Sequence, residues 1–267
     1  MKNLLYLHIG IHKTGTTLLQ TNIFPKSQKI SYLGRYYDDS KLNNEYFKIF
    51  HNLSLRRLNF FQIKKLKKIQ QDTLVSNENM LKSFSFDDNI LTNNLDILND
   101  IFNLKIIITT RDVKELILSR FLHNQQNTLE LITAQNLKSS MTKRNCFAPF
   151  CTKRVLFNKV LFYLNKTSNF RKYKCVCENI KNINPKIYFK NYLEKKLSKY
   201  ETFFFEIIGK DKNLNKSELL KLTKLLKINL EENTLKKINL TKVRISEEEK
   251  NNFEKTIISS LKELNLN

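Results

Sequence analysis

A chain of 267 residues can bury a full core without disulfide or metal staples, as one large domain or two small ones. With 41% hydrophobic and 27% charged residues, and only 4 Gly and 3 Pro, it is not a disordered, collagenous or turn-rich protein. Its net charge of +22 is carried mostly by Lys, which reads either as the composition of an AT-rich genome or as a surface for polyanions.

In chain order, Leu4–Ile9 is an apolar run that stops at Gly10 and predicts a buried strand. Gly15 follows, and a helical pattern begins at Thr16 and ends at Pro25, which makes strand, loop and helix the first half of a βαβ unit. Helical spacing recurs at Asn43–Leu53 and at Phe60–Gln71, the second with a lysine face from Lys64 to Lys68. Thr73–Ser76 predicts a second strand, Leu95–Phe102 a helix, and the β-branched run Lys105–Thr110 a third strand, with a helix over Val113–His123.

Residues 124–180 are polar and irregular, with helices expected at Leu129–Leu137 and Val155–Asn165. Lys186–Phe189 predicts a fourth strand, and Leu193–Ile208, Ser217–Lys227 and Ser246–Leu264 predict helices, the last opened by a Ser246/Glu249 capping box. Strands alternating with helices imply an α/β fold: a central parallel sheet of four to five strands flanked by helices, in one domain spanning 1–267. Residues 124–180 are read as an elaboration of that domain.

The four cysteines, Cys146, Cys151, Cys175 and Cys177, have no common zinc spacing and suit a reduced protein. Met1–Ile11 makes a poor signal peptide because it carries His8 and has no small-residue cleavage site. No apolar run approaches the length of a membrane span. The expected location is cytoplasmic, and peripheral contact with a membrane surface stays open.

Gly10-Ile11-His12-Lys13-Thr14-Gly15-Thr16-Thr17 has the frame G-x-x-x-x-G-x-T of a phosphate-binding loop. Loop and first-turn N–H groups converge on an anion there, aided by the helix dipole and by the Thr16 and Thr17 hydroxyls. The nucleotide-hydrolase version needs Lys directly after the second Gly, where this chain has Thr16, and its Lys13 lies earlier. That disfavours a magnesium-dependent kinase or ATPase.

The run from His8 to Gln20 resembles the 5′-phosphosulfate loop of sulfotransferases that use 3′-phosphoadenosine-5′-phosphosulfate (PAPS), the bacterial carbohydrate-type members most of all. In that family an Arg at a strand end and a Ser eight residues later hold the 3′-phosphate, and Arg111 and Ser119 match this spacing. Two places depart from the pattern: Val113 stands where Pro is usual and Leu116 where Arg is frequent. Ile187–Gly209 resembles the family's late strand and the helix after it, and Arg244, in Lys242-Val243-Arg244, its basic residues on the 3′-phosphate.

The resemblance implies a P-loop-type three-layer fold and a cofactor site at His12, Lys13, Thr14, Gly15, Thr16, Thr17, Arg111, Ser119 and Arg244. The implied reaction moves the sulfuryl group of PAPS to an acceptor hydroxyl on a carbohydrate or glycolipid, with no metal required and adenosine 3′,5′-bisphosphate as product. Lys13 would meet charge at the bridging oxygen. Glu78, in a segment resembling the family's Ser-Ser-Glu, is the expected base, with His12 as rival and His123 as third candidate. Cations scattered from Lys143 to Lys174 read equally as a receiver for an acidic acceptor or as a plain solvated surface. Two other classes compete: a phosphoryl-transfer enzyme with a deviant loop, in which Asp112 would hold magnesium, and a basic nucleic-acid-binding protein. The latter lacks aromatic–basic interleaving and any helix-turn-helix or zinc pattern.

Overall fold

The computed structural model describes residues 2–34, 45–78, 80–81, 88–112, 115–116, 119, 190–209, 213–230 and 255. Five strands form one parallel sheet: β1 (Leu4–His8), β2 (Ser31–Tyr32), β3 (Thr73–Ser76), β4 (Asn103–Thr109) and β5 (Glu201–Phe205). Their spatial order is β2-β3-β1-β4-β5. The first strand of the chain is therefore central, with β3 on one side and β4 on the other, both parallel to it. This is an α/β fold with a five-stranded parallel sheet, and the order reverses direction at β1.

The apolar runs explain the burial. Register places Tyr6, Leu74, Ile107 and Phe203 on one face of the sheet and Leu5, Leu7, Val75, Ile106 and Ile108 on the other. In the three central strands both sets are buried, which only elements on both faces can achieve. Each buried Leu or Ile contributes about 1.5–3 kcal/mol, so burial rather than strand propensity drives the sheet. The first face is covered by the helical segment from Thr16, which supplies Leu18, Leu19, Ile23 and Phe24, and by α6 (Lys216–Leu225), which supplies Leu219 and Leu222.

The segment after β1 begins as α1 (Thr16–Leu18), widens into a π-turn over Leu19–Ile23 and tightens to a 3-10 turn over Phe24–Lys26 around Pro25. Helices α2 (Glu45–His51) and α3 (Phe60–Leu66) fall within the two predicted stretches. An Asn59/Gln62 capping box opens α3. Helix α4 (Asp88–Ile101) starts seven residues before the predicted Leu95 and buries Leu91, Leu95 and Leu98 along one stripe.

The predicted helix Leu193–Ile208 is overturned. Helix α5 spans only Lys190–Lys196, and Glu201–Phe205 is β5, paired with β4 from Lys105↔Glu201 to Thr109↔Phe205. Three successive Phe residues favour the pleated surface of a sheet edge over a helix stripe. The family-like order of strand then helix is thus helix then strand over the described part of 187–209. Tyr200, at the junction, donates its hydroxyl to Asp96 of α4 at 2.7 Å and so ties β5 to that helix.

The chain divides into two compact units, Met1–Asp112 with Ile187–Leu240, and Val113–Lys186 with Thr241–Asn267. The sheet belongs wholly to the first. In the second, Glu115, Leu116, Ser119 and Lys255 are described and all are helical. The elements predicted within 124–180, the strand Lys186–Phe189, the capping box at Ser246, and all four cysteines lie outside the described residues. Among the described residues no helix is long and apolar enough to cross a membrane.

Candidate functional site

Three blocks far apart in sequence meet at the carboxyl end of β1. The loop from Gly10 to Gly15 leaves β1, Glu78 follows β3, and Arg111 follows β4. Ligands of open α/β sheets bind at such an end, where the strand order reverses.

The loop adopts an unusual backbone. Gly15 has φ 95° and, more notably, Lys13 has φ 70°, the left-handed region that a side chain with a Cβ rarely occupies. Such a conformation costs of order 1 kcal/mol and persists only where the surroundings dictate it. Arg111, itself buried, donates from Nη1 to the Lys13 carbonyl at 3.4 Å. A Cβ at Gly15 would also meet the Ile208 and Ile207 side chains at 3.0 and 3.1 Å. The segment after β5 therefore presses on the same loop.

Gly10 is required by close approach. A Cβ there would lie 2.5 Å from Thr109 Oγ1 and 2.7 Å from His8 Nε2. Those two atoms belong to a buried polar chain beneath the loop that the sequence reading missed. Gln20 donates to the Ser76 hydroxyl at 2.8 Å, and Ser76 Oγ lies 2.7 Å from His8 Nδ1. His8 Nε2 lies 3.3 Å from Thr109 Oγ1, which lies 2.7 Å from Thr14 Oγ1, and Thr14 donates to the Ile11 carbonyl at 2.5 Å.

Donor counting gives this chain one direction. Thr14 has a single hydroxyl proton, and a carbonyl can only accept it, so Thr109 donates to Thr14. Thr109 then accepts from His8 Nε2–H, and His8 Nδ1 accepts from Ser76, whose oxygen accepts from Gln20. Only the neutral imidazole satisfies every member. Burial accordingly pulls His8 down to about 4, opposed in part by the negative charge of Glu78. The relay fastens the carboxyl ends of β1, β3 and β4 to the loop at Ile11 and Thr14. Sequence offered one signal for it, since these three strands end in the polar residues His8, Ser76 and Thr109.

Above the relay, His12 Nδ1 lies 3.1 Å from Glu78 Oε1, and Thr16 donates its hydroxyl to Glu78 Oε2. The His12 and Glu78 side chains are both partly buried, 22% and 18% exposed. Burial alone would raise the Glu78 carboxyl. The hydrogen bond and charge of His12, the Thr16 hydroxyl and the charge that His8 takes on only in acid outweigh it and draw the group down to about 2. Glu78 is thus a firmly ionised partner for an imidazole and a weak proton acceptor on its own.

Of the residues singled out from sequence, His12, Lys13, Thr14, Gly15, Thr16, Glu78 and Arg111 come together here. Their duties differ: the Thr14 hydroxyl bonds within the protein, the Thr16 hydroxyl bonds Glu78, and the Thr17 side chain is exposed. Ser119 is a half-buried helical residue of the second compact unit, whereas Arg111 belongs to the first. His123 and Arg244 lie outside the described residues. Asp112 is exposed. Comparison of the chain with models of known families, with curated proteins and with solved structures returns no match.

Proposed function

We propose that this chain is a PAPS-dependent sulfotransferase of P-loop type that sulfates a hydroxyl of a carbohydrate or surface glycan. The observation that carries the reading is the meeting of the strained Lys13 loop, Arg111 and Glu78 at one sheet end, three blocks far apart in the sequence. The donor chemistry suits an anionic nucleotide: the amides of a loop that opens a helical segment, the Lys13 ammonium and a buried guanidinium. PAPS, when bound, supplies the sulfuryl group and departs as adenosine 3′,5′-bisphosphate.

For the acceptor proton the geometry favours His12 over Glu78. A carboxyl drawn down to about 2 is poorly matched to deprotonating an alcohol. With Nδ1–H directed at Glu78, the His12 ring presents Nε2 as the basic nitrogen, and Glu78 fixes the tautomer and stabilises the imidazolium once formed. Lys13 and Arg111 meet negative charge as it develops on the leaving phosphate. The acceptor class, the cytoplasmic location and independence from metal are parts of the same proposal.

The test is thermal stabilisation by adenosine 3′,5′-bisphosphate beside magnesium ATP. A ligand at 100 times its Kd stabilises by about 2.7 kcal/mol, a shift of several degrees. Stabilisation by the bisphosphate that is lost in Lys13→Ala is expected. Stabilisation by magnesium ATP alone would make the loop a phosphoryl-transfer site and overturn the assignment.

A further inference from the structure

Away from this site, the segment from Leu55 to Lys68 combines two features rarely found together on a surface. Leu55, Phe60 and Phe61 are 65%, 72% and 80% exposed. Among and after them stand Arg56, Arg57, Lys64, Lys65, Lys67 and Lys68, with no acidic residue between positions 55 and 71. On α3, Lys64 lies one turn from both Phe60 and Phe61 and Lys65 one turn from Phe61, so apolar and cationic groups share one patch. Lys65 is paired with Glu45 of α2.

The patch is held rigidly. Asn94 of α4, fully buried, donates to the Leu53 and Arg56 carbonyls at 2.7 and 2.8 Å and accepts from the Leu58 N–H at 2.9 Å. Leu53, Leu58 and Leu66 are buried beneath, and the Asn59/Gln62 box fixes the start of α3. Three hydrogen bonds from one buried side chain thus hold up a turn whose own apolar residue faces water. Exposed apolar side chains on a fixed scaffold mark a contact surface rather than a frayed end.

We infer that Leu55, Phe60 and Phe61 insert into the interface of an anionic membrane while the surrounding Arg and Lys residues contact lipid headgroups. Apolar anchors and a polybasic rim are the two signals that together give stable peripheral attachment. Nucleic acid is the other polyanion to weigh, and the side chains disfavour it. Bases stack on open aromatic faces, whereas Phe60 and Phe61 meet edge to face at 6.0 Å and 77°, and Leu55 gains only by leaving water. The inference is independent of whether the Lys13 loop binds PAPS.

The chain contains no Trp, so Phe61→Trp creates a single tryptophan reporter in the whole chain. It is titrated with vesicles of phosphatidylcholine alone and with about 30% phosphatidylserine. The expected result is a blue shift and binding on the anionic vesicles, at least tenfold weaker on the neutral ones. Co-sedimentation with anionic vesicles should weaken at least tenfold in Phe60→Ser/Phe61→Ser, whose exposed positions leave folding, read by thermal midpoint, unchanged. Absence of binding, or equal binding by the serine variant, would overturn the inference. So would tighter binding of a single-stranded oligonucleotide with the same dependence on the two Phe residues.

Discussion

Nδ1 of His12 lies 3.1 Å from Oε1 of Glu78, joining the loop after β1 to the turn after β3. In the proposed sulfotransferase reading the pair would divide the work of one catalytic base between two residues, and the division can be measured. His12→Asn keeps a polar group toward Glu78 but has no proton-accepting nitrogen, and should lower turnover by ~10²-fold or more. Glu78→Gln leaves the imidazole present but misdirected, and should cost less, of order tenfold. Bisphosphate binding should persist in both. A greater loss in Glu78→Gln than in His12→Asn would return the role of base to the carboxylate.

Lys13 carries charge and strain at one position, so its two contributions separate. Lys13→Gly removes the penalty of φ 70° and should unfold at the same or a higher temperature. It should nevertheless bind the bisphosphate about 30-fold more weakly, through a lost charge-assisted contact of about 2 kcal/mol. Arg111→Ala should weaken binding comparably, and it also removes the donor to the Lys13 carbonyl. Calorimetric titration beside a thermal melt reads both effects.

Acid should destabilise the fold in two successive windows. His8 and His51 are each drawn down by burial to about 4 from 6.5, so the unfolded chain binds more protons between those values. Their contribution is intact above pH 6.5 and falls as pH drops to 4, by up to about 1.4 kcal/mol per pH unit for each imidazole. Glu78 acts lower: its contribution is present above 4.5 and is lost as pH falls toward 2. Urea midpoints should therefore decline steadily below neutrality. In His51→Leu the slope between pH 6.5 and 4 should shrink by one proton, and an unchanged slope would show that His51 is not held neutral.

Gly10→Ala tests the close packing under the loop. The new methyl would meet Thr109 Oγ1 and His8 Nε2, both held by the buried relay and unable to swing away. A loss of about 2 kcal/mol or more is expected by denaturant titration. Alanine tolerated at this position would mean that the relay yields.

Much of the fold was legible because its central strands are uninterrupted apolar runs bounded by polar residues, as at Thr73–Ser76, which the structure reproduces residue for residue. Strand β5 was not. Leu193, Leu197 and Tyr200, all buried, recur at helical spacing, and Phe204 continues the same period into the strand. Periodicity cannot show where a helix stops if the next strand happens to stay in phase. At the candidate site, Lys13, Glu78 and Arg111 stood out in the sequence because each lies in a short motif that resembles the sulfotransferase pattern. His8 was hidden inside an apolar run, and its role exists only through the register that sets it beside Ser76 and near Thr109.

The order of the strands also governs how the chain must be made. Synthesis delivers β1 first, yet both of its neighbours come later, at Thr73 and Asn103, and the partner of β4 begins only at Glu201. At 5–20 residues per second, the roughly 90 residues between β4 and β5 leave the edge of Ile106–Ile108 unpaired for about 5–20 seconds. An all-aliphatic edge exposed for that long invites pairing with a neighbouring nascent chain. Lys105 and Arg111 flank it as gatekeepers, so Arg111 would guard the newborn strand before it ever steadies the loop.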